Sequence, residues 1–161
     1  MTCTKRNFLV AVVASWALAP AIAGTRALPS TQSLQADLSR ALQSQKPLVV
    51  MVSLEGCPFC KVARESYLLP LYEREGIPIV QVDMRNKEMM LGFDGVKQTQ
   101  DDWIRALGVK VAPTVLFFGP NGVEVAERMT GGYIPDFYGS YLDERLQTAK
   151  LRIAKLGNVA K

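Results

Sequence analysis

The sequence contains no histidine and only three cysteines in 161 residues. Without imidazole there is no Ser-His-Asp or Cys-His machinery, no His-ligated zinc or copper, and no imidazole proton shuttle. Three cysteines are too few for a four-cysteine zinc site or an iron–sulfur cluster within one chain. Repeats, low-complexity tracts and signs of a second domain are also lacking. The formal charge of +4 does not describe a cationic groove: Lys5 and Arg6 sit at the start, and five cations fall in the last 17 residues. Residues 24–144 carry 12 basic against 15 acidic side chains, which argues against nucleic acid as a partner. What remains is carboxylates, Lys, Tyr, hydroxyls and cysteine, on a chain 48% hydrophobic and long enough for one ordinary core.

Cys3 belongs to a segment with the features of an export signal. Lys5 and Arg6 precede an apolar stretch from Phe8 to Leu18, Pro20 breaks it, and Ala21-Ile22-Ala23 supplies the small-x-small pattern of a cleavage site. Cleavage after Ala23 is the first choice and after Ala27 a later one. An uncleaved anchor is the rival reading, but Phe8 to Ala23 is 16 residues, short of the ~20 that span a bilayer. The expected organisation is a signal peptide over 1–23, a linker over 24–31, one domain over 32–155 and a frayed tail over 156–161. Export places the mature chain in an oxidising compartment, where a disulfide persists, with Cys57 and Cys60 as its only cysteines.

Hydrophobic periodicity lays out the domain. Leu34, Leu38 and Leu42 predict a helix over Gln32–Gln45 with Ser30 or Thr31 as N-cap. Leu48–Leu54 is a nearly continuous apolar run, as in a strand buried on both faces. A helix follows from about Pro58 until Pro70 breaks or kinks it. Ile77–Asp83 is a second strand, and Met84–Gln98 a long connection turning at Gly92-Phe93-Asp94-Gly95. Thr99 and Asp102 form a capping box for a helix carrying Trp103, Ile104 and Leu107. Thr114–Gly119 is a third strand, Pro120-Asn121-Gly122 a hairpin turn, and Val123–Met129 the returning antiparallel strand. Pro135 sits in the first turn of a last helix, where Leu142, Leu146, Ala149 and Ile153 share a face. The order α-β-α-β-α-β-β-α implies an α/β fold, with a central mixed sheet of parallel strands plus an antiparallel C-terminal hairpin, flanked by helices.

The chemistry centres on Cys57-Pro58-Phe59-Cys60. A Cys-x-x-Cys loop is too small for its disulfide to constrain the unfolded chain much, so a stability role is weak. Read alone, the pair equally fits a closed loop disulfide or half of an intermolecular zinc clip. Placed where a buried strand gives way to a helix, it favours redox work. Backbone N–H groups and the positive helix end then face Cys57, which lowers a thiol pKa and supplies the attacking thiolate. Cys60, one turn further in, resolves the mixed disulfide. Pro58 presets the first helical φ and Phe59 offers an apolar surface beside the sulfur. Lys61 stands where c-type haem attachment requires His. Pro113, directly before an apolar strand, suggests a cis Ala112–Pro113 bond that leaves the residue-112 backbone free to pair with a substrate strand.

These features resemble the thioredoxin superfamily, over about residues 32–150. The match rests on Cys57-Pro58-Phe59-Cys60 at a helix start, Ala112-Pro113-Thr114 before the hairpin and Gly131-Gly132 after it. Within the superfamily the chain is most similar to exported bacterial thioredoxin-related proteins of the SoxW-like group, through Phe93-Asp94-Gly95, the run Pro113–Phe118 and Gly132-Tyr133. The resemblance implies a periplasmic thiol–disulfide oxidoreductase with Cys57 nucleophilic, Cys60 resolving and Pro113 cis. It also implies a substrate surface of Pro58, Phe59, Ala112, Pro113 and Gly132, with no cofactor and no metal. A partner protein's disulfide is the expected substrate and a membrane protein the expected electron donor, with the protein acting as a monomer. Gly56 replaces the aromatic residue that usually precedes the first cysteine, and Met51 occupies the position of the buried acid that assists the resolving cysteine. Disulfide oxidases of the superfamily often carry His within the motif and an inserted helical domain; Phe59 and the short chain favour a reductase. A disulfide oxidase or isomerase, and a redox-inert binding or chaperone module on the same scaffold, are the alternatives. Trp103, Phe117 and Phe118 read as core, Glu55 as an exposed turn residue, and Met84, Met89 and Met90 as packing rather than a soft binding surface.

Overall fold

The computed structural model describes residues 27–131 and 137–159, so the expected signal peptide, Gly132 and Pro135 lie outside the described residues. In chain order the elements are α1 (Leu34–Gln43), β1 (Leu48–Ser53), α2 (Pro58–Val62), a π-helical turn (Ala63–Leu68), α3 (Leu69–Glu75) and β2 (Ile79–Asp83). There follow β3 (Met89–Leu91), β4 (Lys97–Thr99), α4 (Gln100–Ala106), β5 (Thr114–Phe118), β6 (Met129–Thr130) and α5 (Tyr138–Val159). Among the described residues, no helix is long and apolar enough to cross a membrane.

The main sheet has the order β2-β1-β5-β6. Every residue of β1 is buried, as its unbroken apolar run requires of a strand covered on both faces. β1 pairs parallel with β2, Ser53 opposite Asp83. The crossover logic predicts a parallel third strand, but β5 runs antiparallel to β1, Val52 opposite Thr114. The reason is where the connection ends. Asp83 and Thr114 both lie beside the C-terminal end of β1, so the chain has no sheet length to cross before β5 begins.

The returning strand is also shorter than its alternation predicts. Only Met129 and Thr130 pair with β5, and Phe118–Glu124 forms one further bridge. Val125 and Ala126, between these contacts, are buried in the core. The connection after β2 contains a β3–β4 hairpin, with Met89 opposite Thr99. The methionines there divide by strand alternation: Met90 is buried and Met89 exposed.

The N-cap of α1 is Ser33 rather than Ser30 or Thr31; its Oγ accepts the Ala36 N–H at 3.2 Å. Thr31 is instead buried and bonds the Asp37 carboxylate. The stretch expected as linker packs as well: Leu28 is buried, and the Pro29 carbonyl accepts the Gln81 N–H at 2.8 Å. At the other end α5 continues to Val159, into the residues expected as a tail. The N-cap half of the box at Thr99 forms, its Oγ1 accepting the Asp102 N–H at 3.1 Å, while the Asp102 carboxylate accepts the Thr99 hydroxyl at 2.6 Å. Pro70 does not stop its helix. A π-helical turn precedes it, the Leu69 N–H donating to the Arg64 carbonyl, and the helix runs on to Gly76, whose left-handed φ of 60° caps it.

Two apolar layers cover the sheet. On one face Met51, Ile79, Val115 and Phe117 pack with Cys60, Leu68 and the α5 residues Leu142, Leu146, Ala149 and Ile153. On the other, Val50, Val82, Leu116 and Phe118 pack with Leu34, Leu38 and Trp103. Trp103, Phe117 and Phe118 are core residues, as their sequence setting predicts.

Candidate active site: a disulfide at the start of a helix

The segment leaving β1 turns at Gly56, whose φ of +72° is a left-handed conformation that glycine adopts without steric cost. The turn closes with the Cys57 N–H donating to the Leu54 carbonyl at 3.2 Å. Cys57 is the N-cap of α2, with extended backbone, and its sulfur accepts the Cys60 N–H at 3.1 Å. Pro58 occupies the first helical position, where a missing N–H costs nothing.

A disulfide joins Cys57 and Cys60 across a Cα–Cα distance of 5.3 Å. The two cysteines are not equivalent. Cys57 is half-buried, whereas Cys60 is 1% exposed and packs in the core layer that contains Met51 and Phe117. Phe59, 55% exposed, stands at the surface beside them. Across the gap the Ala112–Pro113 peptide is cis, and the Ala112 carbonyl oxygen lies 3.9 Å from the Cys57 sulfur. Pro113 is buried, its carbonyl accepting the Gly131 N–H at 2.7 Å. The fold thus brings Cys57, Pro58, Phe59, Cys60, Ala112 and Pro113 to one end of the sheet, although residues 60 and 112 are far apart in sequence.

In this arrangement the outer sulfur can exchange with a disulfide brought to the surface, and the inner one can be reached only through the outer. When the pair is reduced, the Cys60 N–H is already directed at Cys57 to stabilise negative charge there.

The sequence profile of the thioredoxin-like domain matches residues 34–145. The chain belongs to the thioredoxin-like domain family. Among solved structures, a DsbH oxidoreductase superposes with a TM-score of 0.52 at 18% identity, covering 75% of this chain and 86% of that one. Trxlp from Edwardsiella tarda gives 0.46 at 26% identity, covering 71% and 95%. A thioredoxin-fold protein from Helicobacter pylori gives 0.45 at 18%, covering 72% and 87%. No curated protein sequence matches the chain.

This thioredoxin-like domain has Met51 fully buried on the face that also holds Cys60, so that position supplies no proton acceptor. Glu55 is exposed, as expected of a turn residue. The carboxylate that sequence reading missed is Asp83. A cleft of about 1050 Å³ opens beside the disulfide, and Cys57, Cys60, Ser53, Gln81 and Asp83 all line it. Asp83 is placed by its register opposite Ser53. Its Oδ1 accepts the Gln81 side-chain N–H at 2.9 Å, Gln81 Oε1 accepts from Arg64 at 3.2 Å, and its backbone N–H donates to Gln100 Oε1 at 2.7 Å. The available signal was two polar residues at i, i+2 in a strand whose other residues are apolar, which puts both side chains on one face.

Burial pushes the Asp83 carboxyl above its ordinary value of 3.8; hydrogen bonds from Gln81 and Ser53 and the Arg64 charge pull it partly back, while Glu88 adds to the rise. A carboxyl raised in the folded state favours the fold when protonated. Its contribution is therefore complete below the unfolded value and is lost as pH rises through the folded one. Asp83→Asn is accordingly expected to raise Tm at pH 7 relative to the parent, the gain shrinking to nothing below about pH 4. Thermal melts at pH 3, 5 and 7 check this; a gain independent of pH contradicts it.

Proposed function

We propose that the protein is a thiol–disulfide oxidoreductase that reduces a partner protein's disulfide. The observation that carries the reading is the asymmetry of the pair: a half-buried Cys57 at the helix start, facing the Ala112 carbonyl, with Cys60 sealed behind it. The Cys57 thiolate attacks one sulfur of the substrate disulfide, forming a mixed disulfide and expelling the other sulfur as a thiolate that takes a proton from water. Cys60, having lost its proton, then attacks the Cys57 sulfur. The second substrate thiol leaves, and Cys57–Cys60 is restored as a disulfide. Two electrons pass to the substrate, and a dithiol donor must return them.

Cys60 forms part of the cleft wall, so its proton can pass to water there although at 1% exposure it is closed to a partner's sulfur. With no histidine in the chain, nothing within the motif adds a cation to hold Cys57 strongly ionised, which favours a reductant over a dedicated oxidant. Pro58, Phe59, Ala112, Pro113 and Gly132 form the substrate surface in this reading. The apolar segment after Lys5 and Arg6 supports export to the periplasm, as in SoxW-like proteins, with a membrane protein as electron donor.

The test is the reduction potential of the Cys57–Cys60 pair together with turnover of a protein disulfide by the reduced form. A potential near −270 mV, about that of thioredoxin, with turnover is expected; one near about −120 mV assigns the oxidising direction instead. Absence of exchange in either direction leaves an inert binding module.

A further inference from the structure

We propose that the cleft beside the disulfide binds an acidic stretch of the substrate polypeptide, with Arg64, Lys61 and Arg85 as its cationic lining. The proposal rests on the thiol–disulfide reading above and names the kind of substrate that reading leaves open.

The first observation is where the charges fall. Residues 32–155 carry 15 basic and 15 acidic side chains, so the domain as a whole is balanced. Yet Lys61, Arg64, Arg85 and Lys87 all line this one cleft, against Glu55 and Asp83. The surface next to the reactive sulfurs therefore has the opposite sign to the rest of the domain. A concave surface of one sign concentrates field and attracts ligands of the other.

The second is that these cations are largely unspent. Among the described residues, Lys61, Arg64 and Arg85 have no carboxylate within ion-pair distance. Arg64 donates to a neutral amide, Gln81, and its Nε is buried with no hydrogen-bond partner. Asp83, reached through Gln81, offsets part of the Arg64 charge, but the unused Nε donor has no acceptor, and a carboxylate from outside supplies one. Lys87 is the exception, held 3.4 Å from Asp101.

The third is that the rim is fixed in advance. Asp101, at the start of α4, accepts the Arg85 N–H at 2.8 Å, and its own N–H donates to the Asn86 carbonyl at 3.1 Å. Asn86 Oδ1 in turn accepts the Glu88 N–H at 2.8 Å. The Arg85 N–H, assisted by Arg105 and Lys87, holds the Asp101 carboxyl below its ordinary value despite burial, so it stays an anion and keeps this clamp closed. Arg85 and Lys87 are thus presented on a loop already ordered, with little entropy left to lose on binding.

A polypeptide is the occupant because of size and position. About 1050 Å³ is at the upper end of small-molecule sites. The cleft also begins at the sulfur to which a substrate cysteine is joined in the mixed disulfide. Chain flanking that cysteine advances ~3.3 Å per residue in extended form, so its next few side chains enter the cleft.

The test uses the intact protein and two peptides that share one disulfide, flanked in one by Asp and Glu and in the other by Asn and Gln. The acidic peptide is expected to show a kcat/KM about tenfold higher at low salt, the advantage collapsing at about 0.5 M NaCl. Arg64→Gln combined with Arg85→Gln is expected to bring the acidic-to-neutral ratio close to one, while Arg152→Gln on α5 leaves the ratio as it was. Because the readout is a ratio, partial loss of fold cancels. Equal turnover of both peptides overturns the proposal, and so does a preference that survives the double substitution. Binding of the same peptides with Ser replacing Cys is measured in parallel by calorimetry. If neither disulfide peptide is turned over, the redox reading fails; tighter binding of the acidic peptide still supports the cleft assignment, and equal binding removes it. Glutathione disulfide, a small disulfide bearing carboxylates, is the third substrate; turnover faster than the acidic peptide assigns the cleft to a small molecule and overturns the polypeptide occupant.

Discussion

Cys57→Ser is expected to lower turnover of a protein disulfide by about three orders of magnitude or more, the scale of losing a nucleophile. Cys60→Ser is expected to abolish multiple turnover while accumulating a mixed disulfide through Cys57. The difference follows from burial. Cys60 is 1% exposed, so when Cys57 is lost no partner sulfur can approach it in line. When Cys60 is lost, Cys57 still lies at the surface with the Cys60 N–H aimed at it, since that donor belongs to the backbone and survives the substitution. The covalent intermediate then has nothing to resolve it. Mass spectrometry of the unreduced protein after incubation with substrate distinguishes the two variants. Turnover that persists in Cys57→Ser, or a mixed disulfide found on Cys60 in that variant, refutes the assigned roles.

The largest effect on stability is expected at Phe118. This side chain is 1% exposed and lies on the sheet face opposite the disulfide, its ring 4.6 Å from Phe93 and 6.0 Å from Trp103. Phe118→Ala removes a buried aromatic ring from a central strand and leaves a cavity that two neighbouring rings fill only in part, at a cost of about 3–5 kcal/mol. For a domain of this size that corresponds to a fall in Tm of roughly 10–20 °C. Urea unfolding followed by far-UV circular dichroism should show a lower midpoint with unchanged slope. Well below the new Tm, exchange per folded molecule should be retained, because the substitution lies in the layer that contains neither cysteine. A loss under about 1 kcal/mol indicates that the cluster closes over the gap and that its packing was loose to begin with.

Much of the fold was legible because the elements carry strong local signals. β1 is one apolar run, α1 and α5 repeat leucine at helical spacing, and Thr99 with Asp102 makes a cap that depends on residues three apart. What escaped depended on contacts far apart in sequence or on the path of the chain. The direction of β5 follows from where its connection starts and ends. The shortness of β6 follows from Val125 and Ala126 turning into the core instead of continuing the ladder. Ser33, not Ser30 or Thr31, caps α1 because Pro29 and Ser30 are engaged with Gln81 and Thr31 with Asp37. Asp83 escaped for the same kind of reason: as the polar end of a strand it looks ordinary, and only the register with β1 and the helix carrying Arg64 put it in the cleft beside Cys57 and Cys60.

The missing histidine and the Cys57–Cys60 pair determined, without any structure, which chemistry this protein can and cannot attempt. They are properties of composition and of a spacing of three, and no folding alters them. The strand–helix setting of Cys57 was equally local, since a buried run, a glycine turn and a proline at the first helical position are neighbours in the chain. Tertiary structure alone decided how completely Cys60 is closed off, how near the Ala112 carbonyl comes to Cys57, and that four cations collect beside the pair in a domain otherwise net negative. Those facts depend on three separate segments converging at one end of the sheet, and the energies that bring them there are spread over the whole core.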